Sequence, residues 1–192
     1  MKKTLITEMN RLTVEQFRKA DKLPLVVVLD DVRSLHNVGS VFRTSDAFRV
    51  DEIMLCGITA TPDTVMDAEG RIMKECTLKA SQEIHKTALG AENSVKWHYY
   101  KDTTEAIEKL KKDGFTVIGV EQCHGSTMLN DFQPEREKKY AVVLGNEVKG
   151  VKQEVIDMCD GCLEIPQYGT KHSLNVSVAA GIIIWHFAQM KL

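Results

Sequence analysis

Leu25-Val26-Val27-Val28-Leu29-Asp30 is an unbroken apolar, largely β-branched run that ends on a carboxylate. A strand with one face in water alternates apolar and polar side chains. A run without alternation belongs to a strand buried on both faces, as in a parallel sheet covered by helices. Outward from this run the chain repeats the theme. Strands are expected at 52–56, 95–100, 115–120, 140–144 and 162–165, and helices at 38–48, 104–112, 151–158 and 175–190. Such alternation predicts an α/β fold, a mostly parallel sheet with helices on both faces. The segment 60–92 reads as a loop with one or two short helices. Residues 1–24 read as a polar, helical arm, with Thr13-Val14-Glu15-Gln16 at capping-box spacing. The expected organisation is therefore an arm over 1–24 and one domain over 25–192.

The bulk properties suit that plan. The 192 residues are 43% hydrophobic and 27% charged, enough for one domain with a full core. The longest apolar stretch, Val176 to Met190, is interrupted by Ser177, His186 and Gln189 and falls short of the roughly 20 residues of a membrane span. The amino-terminal residues have no apolar core of a signal peptide, so a cytoplasmic location is the expectation. The five cysteines include one C-x-x-C, Cys159 and Cys162, with no second pair at zinc-site spacing. They read as reduced, partly buried thiols, and no metal is expected. The net charge of −2 does not favour a nucleic-acid partner. Arg11, Arg18, Lys19 and Lys22, and later Lys109, Lys111 and Lys112, are local basic clusters that read first as solvated helix faces.

In a parallel sheet, ligands bind in the loops beyond the carboxyl ends of the strands. Three such loops are rich in polar residues. The loop after Asp30 leads to Asn37, read as a helix N-cap, to Gly39, and to Arg43, placed about one turn inside the helix. Taken alone, this spacing favours a capped helix with a surface arginine. The loop after Leu144 is Gly145-Asn146-Glu147-Val148-Lys149-Gly150. It has two phosphate-loop glycines but is followed by Val151-Lys152, so the lysine and hydroxyl of a nucleotide-binding loop are missing. The loop after Ile165 runs through Gly169 and Lys171 to Ser173-Leu174-Asn175. It opens a helix that is apolar nearly all round, with Ile182, Ile183, Ile184, Trp185 and Phe187, and such a helix must be buried in a core or against a second subunit.

Together the loops resemble the SpoU/TrmH family of RNA ribose methyltransferases, within the SPOUT class. The first family motif, N-x-G-x-x-x-R, is met by Asn37, Gly39 and Arg43. The second, L-G-x-E-x-x-G, is met by Leu144, Gly145, Glu147 and Gly150. The third is met without a break from Ile165 to Ala179. The resemblance covers about 25–192.

The resemblance implies a carboxy-terminal trefoil knot, a homodimer built on the last helix, and S-adenosylmethionine as cofactor. The implied cofactor pocket comprises Val120, Glu121, Leu144, Gly145, Asn146, Ile165, Gly169, Ser173 and Leu174. The implied catalytic group is Arg43 with Asn37, Glu147, Ser173 and Asn175. A guanidinium is too weakly acidic to be a ready base, so Arg43 is read as gripping phosphate and stabilising a developing alkoxide, with Glu147 as a base or as a partner orienting Arg43. The implied substrate is RNA, with tRNA preferred over rRNA because a structured RNA offers its 2′-hydroxyls to shape readout. The alternatives are an rRNA target and a catalytically silent RNA-binding dimer.

Overall fold

A computed structural model describes residues 1–189. The elements in chain order are α1 (Val14–Lys19), β1 (Leu23–Asp30), α2 (Leu35–Ala47), β2 (Val50–Cys56), β3 (Val65–Met66), β4 (Ile72–Lys74), α3 (Leu78–Ala88), α4 (Ala91–Ser94), β5 (Lys96–Tyr100), α5 (Thr103–Lys112), β6 (Phe115–Val120), β7 (Thr127–Met128), β8 (Lys139–Leu144), α6 (Gln153–Met158), β9 (Gly161–Glu164) and α7 (Val176–Ala188). The expected α/β class is met. Seven strands form one sheet in the order β5-β2-β1-β8-β6-β9-β7, and their pairings are all parallel.

Because side chains alternate across a strand, β1 feeds two cores. Leu25, Val27 and Leu29 join Val38, Phe42, Ile84, Ile183, Ile184 and Phe187 on one face. Val26 and Val28 join Ile107, Leu110 and Val155 on the other. The uninterrupted apolar run is thus the mark of a strand covered by α2, α3 and α7 on one side and by α5 and α6 on the other.

Several expectations shift. The arm is helical only at Ile6–Glu8, a 3-10 turn, and at α1. The capping box at Thr13 and Gln16 forms as read. The segment 60–92 holds the helices α3 and α4 and also a hairpin, β3 with β4, which its exposed Met66, Ile72 and Met73 do not advertise as a strand pair. Asn37 does not cap α2. Ser34 does, accepting a hydrogen bond from the Asn37 amide. The helix begins earlier than the apolar periodicity because His36 and Asn37 occupy its first turn. Gly39 sits where α2 presses on α3: a Cβ there would lie 2.3 Å from the Ile84 carbonyl oxygen and 2.1 Å from Thr87 Oγ1. The room it leaves is taken by another helix. The α6 start moves from 151 to Gln153 because the preceding loop closes on itself. On α7, of the two residues whose type suits a cap, Ser173 and Asn175, it is Asn175 that caps, accepting from the Ser177 amide. The last position of the expected helix, Met190, lies outside the described residues.

Candidate active site

The carboxyl ends of β1, β6, β8 and β9 share one end of the sheet, and the loops that leave them meet there. The backbone reverses at Asp31, with φ 54°, a conformation that Asp tolerates better than most residues. The side chain of Asn146 donates to the Asp31 carbonyl at 2.8 Å. Its Oδ1 accepts from the amides of Val148 (2.9 Å) and Lys149 (3.1 Å). Its main chain pairs with Gly150 in both directions. The 145–150 loop is therefore a self-closed turn, and Gly145 is required by it: a Cβ there would meet the Val151 nitrogen at 2.2 Å.

Glu147 leaves this turn toward β1. Its Oε2 accepts from the Arg33 amide at 2.9 Å, and its Oε1 accepts from the Ser34 amide at 2.9 Å and from Asn37 Nδ2 at 3.0 Å. Partial burial works to raise the Glu147 carboxyl, but the amides of Arg33, Ser34 and Glu147 itself, with Asn37, hold it below the usual value. Asn37 then accepts, at Oδ1, a hydrogen bond from Asn175 Nδ2 at 3.1 Å, and Asn175 in turn caps α7. A single chain of hydrogen bonds thus runs from the second loop through the first to the third.

Beneath this chain lies a second network that the sequence did not disclose. Asp30 is fully buried. It accepts from Thr103 Oγ1 at 2.5 Å and from the Lys152 amide at 3.3 Å. Lys152 Nζ lies 2.8 Å from Asp31 Oδ2, and Asp31 Oδ1 accepts from the Ile58 amide at 2.9 Å. Burial opposes ionisation of Asp31, yet Lys152 and the Ile58 amide carry its carboxyl below the usual value. Thr59 donates to the Leu29 carbonyl at 3.0 Å and accepts from the Val32 amide at 2.9 Å. The Asp30-Asp31 pair was visible in the sequence, but its partners lie far along the chain with no spacing to announce them.

A cavity of about 410 Å³ opens among the loops that leave β6, β8 and β9. Of the residues expected to hold the cofactor, Val120, Glu121, Leu144, Gly145, Asn146, Ile165, Ser173 and Leu174 line it, and Gly169 does not. Glu121 is committed to the wall: its oxygens accept from the Gln122 amide at 2.8 Å and the Val151 amide at 3.1 Å. Gln122, Lys149 and His172 also line the cavity. The first of these follows Val120-Glu121 directly and could have been read from that adjacency. Its Nε2 donates to the His172 carbonyl at 2.6 Å, tying the third loop to the end of β6.

The expected catalytic residues divide. Glu147 and Ser173 border the cavity, while Asn37 and Asn175 stand behind Glu147. Arg43 is placed differently from expectation. Since α2 begins at Leu35, Arg43 falls on its third turn, about 12 Å along the axis from the first residue. It is exposed, and among the described residues it has no hydrogen-bond or ion-pair partner. No group of three or more His, Cys, Asp or Glu among the described residues is placed to hold a metal ion. No described helix is long and apolar enough to cross a membrane.

Comparison with known proteins converges on one family. The model of the SpoU rRNA Methylase family matches residues 64–185. A Staphylococcus aureus protein, assigned by family as a TrmH family tRNA/rRNA methyltransferase, is 30% identical over 172 residues. That match covers 90% of this chain and 61% of the relative, so the chain spans about three fifths of the length of the curated relatives it matches. Among solved structures, the A. aeolicus TrmH/SpoU tRNA modifying enzyme superposes with a TM-score of 0.72 at 24% identity, covering 93% of this chain and 82% of that one. The AdoMet-bound rRNA methyltransferase from Sinorhizobium meliloti gives 0.71 at 24% identity, covering 90% of this chain and 61% of that one.

Proposed function

Because this chain belongs to the SpoU rRNA Methylase family, we propose that it is an S-adenosylmethionine-dependent RNA methyltransferase acting on a ribose 2′-hydroxyl. The observation that carries the proposal is a cavity of about 410 Å³ lined by the ends of β6, β8 and β9 and the loops that follow them, with the loop after β1 tied to its rim through Glu147. That volume lies within the roughly 300–1,000 Å³ of small-molecule sites. The walls suit an adenosine group: apolar Val120, Leu144, Ile165 and Leu174 for the base, and main chain at Gly145 and around Ser173 for its polar edges. When bound, S-adenosylmethionine supplies an electrophilic methyl group on a sulfonium centre.

The chain's own residues then divide the remaining work. Glu147 is a positioning residue, since two amides and Asn37 already occupy its oxygens. A carboxylate so occupied, with its proton affinity lowered, is a poor base. Its role is to hold the first loop against the second. Asn37 and Asn175 extend that hold to the third. Arg43, exposed and unpartnered among the described residues, is the group left free to grip the phosphate beside the target ribose and stabilise the developing alkoxide. Ser173 lines the cavity, and its role in this reading is to contact the substrate beside the cofactor.

A homodimer through α7 belongs to the same reading. Val178, Ile182 and Trp185 are 51%, 36% and 48% exposed, and their spacing puts them on one stripe of the helix. The trefoil knot is also part of it. In support, the segment after β9 leaves from beside β6 and returns to place α7 against the β1 face, across the intervening β8. A cytoplasmic location is part of the same reading.

We favour tRNA as that substrate. Mass spectrometry of nucleosides from cells with and without the gene, with fragment mapping, decides this. Loss of one 2′-O-methylnucleoside from tRNA is the expected result, and the same loss from rRNA would correct the target. An unchanged nucleoside profile, with no binding of S-adenosylhomocysteine in calorimetry with chelator present, would favour a silent RNA-binding dimer and overturn the proposal.

A further inference from the structure

The C-x-x-C of the sequence is split by the fold. Cys159 turns back on α6 and donates to the Val155 carbonyl at 3.2 Å. Cys162, on β9, meets a different sulfur: its Sγ lies 3.1 Å from Sγ of Cys123, 39 residues away. This contact stands outside the hydrogen-bond networks that build the active site. Both thiols are half-buried, so small oxidants can reach them.

We infer that Cys123 and Cys162 are an oxidisable pair, a modification site at which hydrogen peroxide converts two thiols into one disulfide. The Cys123 sulfur attacks a peroxide oxygen, the O–O bond breaks, and Cys123 becomes a sulfenic acid as the first water leaves. The Cys162 sulfur then attacks the Cys123 sulfur. The S–S bond forms, the S–O bond breaks, and the departing hydroxide takes the Cys162 proton to become the second water. Two thiols have lost two electrons and two protons, and one peroxide has become two waters. The order follows from the surroundings. Cys162 is the donor in its contact with Cys123, and burial, then that contact, pushes its thiol up, so Cys123 is the sulfur that reacts first.

Closing the bond brings the sulfurs from 3.1 Å to about 2.05 Å. It also ends the Cys162 contact with the Glu121 carbonyl, at 3.4 Å. Cys123 directly follows Glu121 and Gln122, and Cys162 directly precedes Leu163, Glu164 and Ile165, all of which line the cavity. Oxidation therefore pulls two walls of the cavity together, and Gln122 carries that movement to the third loop through the His172 carbonyl. The pair is independent of the methyl-transfer reading; its effect on S-adenosylhomocysteine binding rests on that reading.

The test treats the 192-residue protein with hydrogen peroxide and maps its peptides by mass spectrometry without reduction. The expected product is a Cys123–Cys162 link, with the intact mass lower by two hydrogen atoms and reversed by dithiothreitol. Cys123→Ser and Cys162→Ser should each lose the link, and Cys159→Ser should keep it. A Cys159–Cys162 link, or Cys123 reaching sulfinic acid unlinked, overturns the proposal. Calorimetry on linked and reduced protein should show weaker S-adenosylhomocysteine binding in the linked form, and equal affinities overturn the coupling to the cavity. Absence of binding in both forms counts against the methyl-transfer reading, while the link stands on its mass.

Discussion

Asn175 donates its side-chain N–H to Oδ1 of Asn37 at 3.1 Å, joining residues 138 positions apart in the chain. Each is also bonded elsewhere, Asn37 to Glu147 and Asn175 to the Ser177 amide. The pair should therefore act as a unit. In a double-mutant cycle of Asn37→Ala and Asn175→Ala, read by urea denaturation, the double variant should lose less than the sum of the singles, with a coupling of about 0.5–3 kcal/mol. Strict additivity would mean that the bond does not persist in solution.

Glu147 gives a pH signature. Its carboxyl is held below the usual value, the amides and Asn37 outweighing burial. A group depressed in the folded state contributes stability above its unfolded value, about 4.3, and loses that contribution as pH falls through the folded value. Glu147→Gln cannot titrate and puts an N–H against backbone donors. It should be less stable than the wild type at pH 7, and the gap should narrow below about pH 4. Chemical denaturation across pH 3–8 checks this, and a constant gap would refute it.

Thr103→Val preserves shape and removes the hydroxyl that Asp30 accepts from. Leaving a buried carboxylate oxygen short of a donor should lower stability by about 1–3 kcal/mol. Thr103→Ser, which keeps the hydroxyl, should recover most of it. Thermal unfolding of the three proteins is sufficient.

Arg43→Ala should leave S-adenosylhomocysteine affinity near the wild-type value, since Arg43 does not line the cavity. Turnover on the RNA substrate should fall by ~10² or more, the scale for removing one preorganised electrostatic group. Arg43→Lys should recover little, because an ammonium lacks the guanidinium's planar fork. Single-turnover kinetics with a cofactor titration separates the two effects.

Ile182→Glu places a charge on the exposed stripe of α7, whereas Ile183 is fully buried within the chain's own core. Sedimentation should show a folded monomer for Ile182→Glu at concentrations where the wild type is dimeric. Ile183→Glu should fail to fold. A wild type that sediments as a monomer at micromolar concentration would remove the dimer from the proposal.

The sheet was legible because its evidence is local. The apolar run at Val26–Val28 needs no partner to be recognised as a strand covered on both faces. The loops were legible as positions: Asn37, Glu147 and Asn175 were picked out and do meet. Their assignments within the loops were less so. Asn37 reads as a cap because Asn prefers that place, but Ser34 already fills it, freeing Asn37 to bridge Glu147 and Asn175. The Cys162 contact with Cys123 and the Thr103 bond to Asp30 were invisible because each joins residues brought together only by the stacking of strands and helices. Nothing in the spacing of either pair encodes the approach.

The three-loop junction has a bearing on how the chain completes its fold. Glu147 reaches back to Arg33 across 114 positions and Asn175 to Asn37 across 138. Contacts so distant in sequence close late, because chain entropy must be surrendered before they return any stabilisation. On the ribosome, β1 and α2 are made long before Glu147 and Asn175 emerge, so a chain arrested before Asn175 lacks the segment that completes the junction. Formation of the cavity is thus tied to synthesis of the last quarter of the chain, and a half-made protein lacks the segments that line it.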